Sequence, residues 1–292
     1  MPTALTRTWF VTTSPRNPAK LRQELELLSR FDGTHWWEKD AQGQLVHQRQ
    51  FGDLLAQSDF FEGSISQQYP ELAARDRLRA PQMLGFAYVD EDGTLRITQA
   101  GRQLIRNEYV NELFLRQFLK WQFPSWQHGG NPRTSWRYHS GGIRPFQETL
   151  RVALSLDGVT KDEIAGFLLP CLSPTQFTEA IERIRGFREG LNNRRGERAR
   201  KEYAQNAQRE RLRQVYAEDI AAGRIQTRQI PAAAGDELTD FLEKKRRNVL
   251  DYSDAAMRYF RYTGIFTQRG NRLVVSDVER AERILVELVE PI

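Results

Sequence analysis

The sequence predicts a mainly α protein with small β hairpins (α+β), organised as two winged-helix-like modules in tandem and joined by a basic helical segment. Two observations predict it. Twice along the 292 residues a helical pattern is followed by a strand, a Gly-containing turn, a second strand and a further helix: once through LGFAYVDEDGTLRITQAGRQL (84–104), again through MRYFRYTGIFTQRGNRLVVSDVERA (257–281). Between them, residues 191–211 hold almost no large apolar side chain except Tyr203.

The elements follow in order. Leucines at 21, 25 and 28 share one helix face, and Pro18 near the start with Gly33 beyond the end bound a first helix over 17–30. A second helix is expected near 50–57 and a third over 71–84, which Pro81 should bend or end because its ring removes a backbone donor. Gly85-Phe86 opens a strand, 95–98 closes the hairpin, and 100–107 continues as helix. The second half repeats this with helices over 149–155, 160–169 and 174–187, then a polar stretch and a helix over 251–262. Gly264-Ile265-Phe266 opens its hairpin, 273–276 closes it, and a helix over 277–290 follows. This order places the first module at 1–145 and the second at 146–292, the latter with a basic helix at 183–213 and a linker at 221–236. Glu197 and Lys201 stand at i,i+4 in the favoured orientation, so the basic segment is expected to be a solvated bridging helix. Pro231 and Gly235 mark the linker.

With 39% apolar residues the chain can supply a core for each module. No run of eighteen apolar residues occurs, and MPTALTRTWF lacks the basic start and apolar run of a secretion signal; a cytoplasmic protein with no membrane partner is expected. The single cysteine, Cys171 in GFLLPCL, cannot form an intrachain disulfide and is expected to fill core space. The net charge of +5 is unevenly spread: residues 183–213 carry eleven Lys or Arg against four Glu, and 116–151 carry six against one. These two surpluses exceed that of the whole chain, so the remainder is net acidic. Such segregation points to a polyanionic partner more than net charge does.

Catalytic patterns are scarce. His35, His47, His128 and His139 have no partner at i+3 or i+4, and no CxxC or phosphate-binding glycine loop occurs. Asp240, Glu243, Lys244 and Lys245 superficially suit a carboxylate-plus-lysine nuclease centre, but DELTDFLEKKRRN is helix-like and reads as a solvated helix face. Basic and aromatic residues carry more. FLKWQFPSWQHGGNPRTSWRYHSGG (118–142) interleaves Trp121, Phe123, Trp126, Trp136 and Tyr138 with Lys120, His128, Arg133 and Arg137. Cations neutralise phosphates while amides bond to backbone or base edges. Packing at a domain junction accounts equally well for the tryptophans; Lys120, Gln127 and His128 are assigned to the surface. The helix before a wing is expected in the major groove. That selects Arg75, Arg77 and Arg79 in the first module, and Arg247, Asn248 and Asp251, with Arg258 and Arg261 further along, in the second. Arg suits guanine, Asn adenine, and Asp the N4 of cytosine; any single Arg is more often solvated or salt-bridged, and it is as a group on helices preceding wings that they point to DNA. At the hairpin tips, Arg269, Asn271 and Arg272 are expected near phosphates, and Asp90-Glu91-Asp92 away from them.

Four stretches, WFVTTSPRNPAKLRQEL (9–25), RDRLRAPQMLGFAYVDEDGTLRITQAG (75–101), FLKWQFPSWQHGG (118–130) and RYFRYTGIFTQRGNRLVV (258–275), resemble the AlwI-type type IIS restriction endonucleases and the related site-specific nicking endonucleases. In that family an N-terminal region of winged-helix-like subdomains binds a short asymmetric duplex site, and a separate C-terminal domain of the PD-(D/E)xK type cuts with magnesium. The resemblance implies that this chain is the recognition region without the nuclease domain. It would then be a sequence-specific double-stranded DNA-binding module, not itself an enzyme, with no cofactor of its own, magnesium belonging to the nuclease domain. It would bind an asymmetric site as a monomer. The alternatives are a stand-alone winged-helix transcriptional regulator and an endonuclease with an unrecognised active site.

Overall fold

The computed structural model describes residues 7–61, 65–66, 68–124, 142–225 and 237–287. The chain is mainly helical and divides into two compact units, each holding one small antiparallel sheet. Among the described residues no helix is long and apolar enough to cross a membrane.

The first unit consists of Thr12–Trp121 with the short segment Tyr262–Gly264. Its helices are α1 (Lys20–Leu28), α2 (Val46–Ala56), α3 (Pro70–Met83), α4 (Gln99–Ile105) and α5 (Val110–Lys120), and its hairpin pairs β1 (Ala87–Val89) with β2 (Leu95–Ile97). Leu21, Leu25 and Leu28 are buried, as their spacing requires, together with Phe51 and Leu55 of α2, Leu78 of α3 and Phe114 of α5. Tyr262 packs edge-on to Phe114. Pro81 falls in the last turn of α3, close enough to the end for the helix to close beyond it through Leu84 N donating to Ala80 O. Residues 33–36, between α1 and α2, run beside β2: Gly33 N donates to Leu95 O at 2.8 Å, Leu95 N to Thr34 O at 2.9 Å, and Trp36 N to Gly93 O at 2.7 Å. The Thr98 hydroxyl caps α4 by accepting from Gly101 N at 3.0 Å. Gly101 permits this approach because the Phe86 carbonyl occupies the space a Cβ would need.

The second unit is the rest of the chain: α6 (Pro145–Ser155), β3 (Val159–Thr160), α7 (Lys161–Glu163) running into a π turn (Ile164–Leu168), α8 (Pro174–Asn192), α9 (Glu197–Val215), α10 (Ala217–Ala221), α11 (Glu237–Arg261), β4 (Phe266–Arg269), β5 (Arg272–Val275) and α12 (Val278–Glu287). Its sheet order is β3-β5-β4, with Val159 opposite Leu273 and Phe266 opposite Val275. Here too the segment after the first helix pairs with the closing strand of the hairpin. Phe146 meets Phe260 and Phe266 edge-on at 5.0 and 5.7 Å, and the buried Trp9 indole donates to Leu168 O at 2.8 Å. Cys171 is buried; its thiol, pushed up to about 12 by that burial, is chemically quiet.

The sequence-based expectation has no counterpart for α5, β3 or α10, and two of its elements take a different form. The helix expected at 251–262 is the second half of α11, which is 25 residues long and includes DELTDFLEKKRRN. The basic segment is two helices, α8 ending at Asn192 and α9 starting after Gly196, whose φ is +85. Nor is α9 a solvated bridge. It buries Ala204, Gln208 and Leu212 and packs on α8, the π turn and α11. These residues recur every four positions, but only one is a large aliphatic, and the Gln208 amide is satisfied by donating to Asp162 Oδ1 at 3.0 Å. A face of that kind is invisible to hydropathy. Of the linker expected at 221–236, residues 226–236 lie outside the described residues.

Candidate nucleic-acid interface

The structure separates the sequence-selected side chains by helix geometry. On α3, positions 75 and 79 are four apart and share a face, whereas 77 lies two residues from each and points almost oppositely. Arg75 and Arg79 are exposed, Arg79 standing 3.4 Å from the equally exposed Asp76. Arg77 turns inward: its guanidinium donates to Glu24 at 2.7 Å, lies 4.9 Å over the Phe61 ring, and the two charged side chains are 17% and 2% exposed. Burial pushes the Glu24 carboxyl up to about 7, with Arg77 opposing that shift. Arg77 therefore fastens α3 to α1.

On α11 the buried face carries Phe241, Leu242, Val249, Ser253, Ala256 and Phe260. Arg247, Asp251 and Arg261 lie outward, with Asn248 half-buried beside them. Arg247 is 73% exposed and holds Glu243 only loosely, at 3.5 Å. Arg258 is largely covered and paired with Asp254 at 3.2 Å. Arg261 donates to Gln268 Oε1 at 2.6 Å, linking the end of α11 to β4. Glu243 is an ion-pair hub rather than a freely solvated residue. It accepts from Arg246 at 2.7 and 2.9 Å, and Arg209 and Arg247 approach at 3.4 and 3.5 Å. The hydrogen bonds from Arg246, followed by its charge, hold that carboxyl down near about 2. Lys245 lies over the Tyr216 and Phe241 rings at 4.7 and 5.2 Å.

The β4–β5 turn has Gly270 at its first central position with φ +61, as a tight two-residue hairpin requires. Arg269 and Arg272 stand directly opposite each other across the strands; Arg269 and Asn271 are exposed and Arg272 half-buried. The acidic tip of the first unit is built differently. Asp92 Oδ1 accepts from Thr94 N at 2.8 Å, and Asp90 accepts from Arg96 Nε at 3.0 Å. These aspartates shape their own turn, which is why that tip is acidic.

Lys120 is exposed at the end of α5. Gln127 and His128 lie outside the described residues, as do Trp126, Arg133, Trp136, Arg137 and Tyr138. Trp121 and Phe123, from the same stretch, are buried and serve packing. Four further residues were not selected from sequence as DNA contacts. Arg200, Lys201 and Gln205 of α9 and Arg246 of α11 join Asn271 and Arg272 in lining a cleft of about 960 Å³ within the second unit. For Arg200 and Lys201 the only sequence signal of a site was the charge surplus of 183–213, which does not say which cations share a face; Gln205 and Arg246 carried none.

Among the described residues no three His, Cys, Asp or Glu side chains are grouped so as to hold a metal ion.

Residues 82–292 match the family described as AlwI restriction endonuclease. No curated protein matches the chain significantly. Among solved structures, the chain is similar to the one titled "Crystal structure of pyrene- and phenanthrene-modified DNA in complex with the BpuJ1 endonuclease binding domain", at a TM-score of 0.51 and 15% identity, over 91% of this chain and 78% of that one. At that identity the likeness speaks for the fold alone.

Proposed function

The chain belongs to the AlwI restriction endonuclease family, and from that premise we propose that it is a sequence-specific reader of double-stranded DNA, recognising a short asymmetric site as a monomer without cutting it. The observation that carries this reading is the outward face of α11, where Arg247, Asn248 and Asp251 lead toward a hairpin whose tip carries Arg269, Asn271 and Arg272. A helix bearing an arginine, an amide and a carboxylate can address guanine, adenine and cytosine edges, while a basic tip addresses phosphates. We read each unit as winged-helix-like; its support is the segment after the first helix that pairs with the hairpin's closing strand. Arg75 and Arg79 form the corresponding face of α3, and Arg77 positions it. Lys120, Arg258 and Arg261 serve backbone contact or alignment. That the similar BpuJ1 domain is described in complex with modified DNA supports a DNA partner. The reading implies a cytoplasmic protein that needs no cofactor to bind.

Binding-site selection from random duplexes tests this. An asymmetric enriched sequence and a one-to-one complex are expected. A palindrome bound by a dimer would replace this reading with a stand-alone regulator. Plasmid incubated with magnesium should stay intact. Nicking that survives purification and disappears on mutating a carboxylate would make the chain a nuclease.

A further inference from the structure

We infer that the cleft between the α8–α9 corner and the β4–β5 tip is a binding site for backbone phosphates, gripping one DNA strand beside the groove that α11 reads. The inference rests on the DNA-recognition reading above and adds a site to it.

Four observations converge on the cleft. First, three of its cations are uncommitted. Lys201 and Arg272 form no ion pair with the described residues, and the Arg200 guanidinium only donates to the Arg194 carbonyl at 3.1 Å. Second, neighbouring cations in the same walls are neutralised: Arg188 by Glu163 at 2.7 Å and Arg246 by Glu243 at 2.7 Å. Carboxylates thus pair with guanidiniums that have a structural task in this wall, whereas no described carboxylate forms an ion pair with Lys201 or Arg272. Third, Arg269 faces Arg272 directly across the hairpin. Like charges in that position repel, and an anion between or beside them relieves the repulsion. Fourth, Gly196 and Glu197 line the cleft, so the N-terminus of the 19-residue α9 lies at its wall. Unsatisfied donors and the positive end of a helix favour an oxyanion.

The acidic residues at the cleft do not reverse its sign. Asp162 accepts from Gln208, Glu163 is held by Arg188, and Glu197 sits in the exposed first turn of α9. Asn271 and Gln205 add neutral polar groups of the kind that bond phosphate oxygens. Because a phosphate contact carries no base information, the cleft should supply affinity and register without specificity.

The test uses the whole chain carrying Arg200→Gln with Lys201→Gln, checked for an unchanged thermal transition. Binding is measured across a salt series on the selected duplex and on a random duplex of equal length. Affinity should fall by the same factor on both, and the slope of log K against log salt should shrink by roughly 1.8, about 0.9 for each of two phosphates. The exchange Arg200→Lys with Lys201→Arg should keep the wild-type slope. An unchanged slope, or a loss confined to the selected duplex, overturns the proposal. So does stabilisation by inorganic tripolyphosphate with duplex binding untouched in the neutral variant, which would assign the cleft to a free anion. A wild-type chain that binds no duplex would instead refute the DNA-recognition reading, a different result from a wild-type chain that binds and a neutral variant that binds equally.

Discussion

Three arginines at alternate positions of α3 meet different environments, and the difference is measurable. Arg77 pairs with a Glu24 carboxyl whose pKa is raised to about 7, burial outweighing the attraction of Arg77 and Lys20. The folded protein then keeps the Glu24 proton up to about 7, while the unfolded chain releases it near 4.5. Its contribution to stability is complete below the unfolded value and is lost as pH rises through the folded one, amounting to about 3 kcal/mol at most. Thermal melts between pH 5 and 8 should show this fall, and Glu24→Gln should flatten it; parallel curves for the two proteins would refute the assignment. At the tips, replacing Arg269 and Arg272 together with Ala should weaken selected and random duplexes alike, and Asp90→Asn with Asp92→Asn should change little. Loss of binding in the acidic-tip variant alone would show that the first hairpin faces the DNA. Arg247→Ala or Asp251→Ala should instead cost roughly 1–3 kcal/mol on the selected duplex only, if the lost contact is a base edge. Competition binding on both duplexes separates these cases.

At the scale of elements, the α6–β3 corner of the second unit is held by several constraints at once. Asp157 and Gly158 both have positive φ, and Arg188 closes the corner by donating to Leu156 O and Gly158 O, each at 2.7 Å, while bound to the buried Glu163. Glu163 also completes the capping box with Thr160. Glu163→Ala removes the cap and strands a largely covered guanidinium, so a loss of about 3–5 kcal/mol is expected in urea unfolding. Gly158→Ala should also destabilise, by roughly 1–3 kcal/mol, because the φ of +89 disfavours a side chain and a Cβ would lie 2.8 Å from Leu273 O. A neutral outcome for either would mean the corner relaxes freely. The Gly-containing hairpin turns and the leucine stripe of α1 were legible in sequence because each follows a local rule. The packed face of α9 was not, since Ala204 and Gln208 become core residues only against the surfaces of α8 and α11.

For the whole molecule, the segregated charge predicts steep salt dependence of duplex binding. If about 6–10 phosphates are neutralised, affinity should drop roughly a thousandfold to a hundred-thousandfold between about 50 and 200 mM salt. A flat profile in fluorescence anisotropy would contradict it. Unit membership is likewise a property of the whole chain: Tyr262–Gly264 belongs to the first unit although α11 and β4, its neighbours in sequence, belong to the second. Nothing in those three residues announces that assignment.

What the sequence determined by itself was the periodic and the punctuated: the helical class, both hairpins, the basic character of one tip and the surplus of charge in 183–213. Each depends on residues a few positions apart, whose geometry the backbone fixes. Tertiary structure alone decided which of those charges are free. Arg77, Arg188 and Arg246 look like Arg75, Arg200 and Arg272 in the chain, yet the first three meet carboxylates brought from elsewhere in the fold, Glu24 and Glu163, or nearby on the same helix, Glu243, whereas the others form no ion pair with the described residues. A guanidinium's availability is set by what lies within a few ångströms of it, and sequence distance does not measure that.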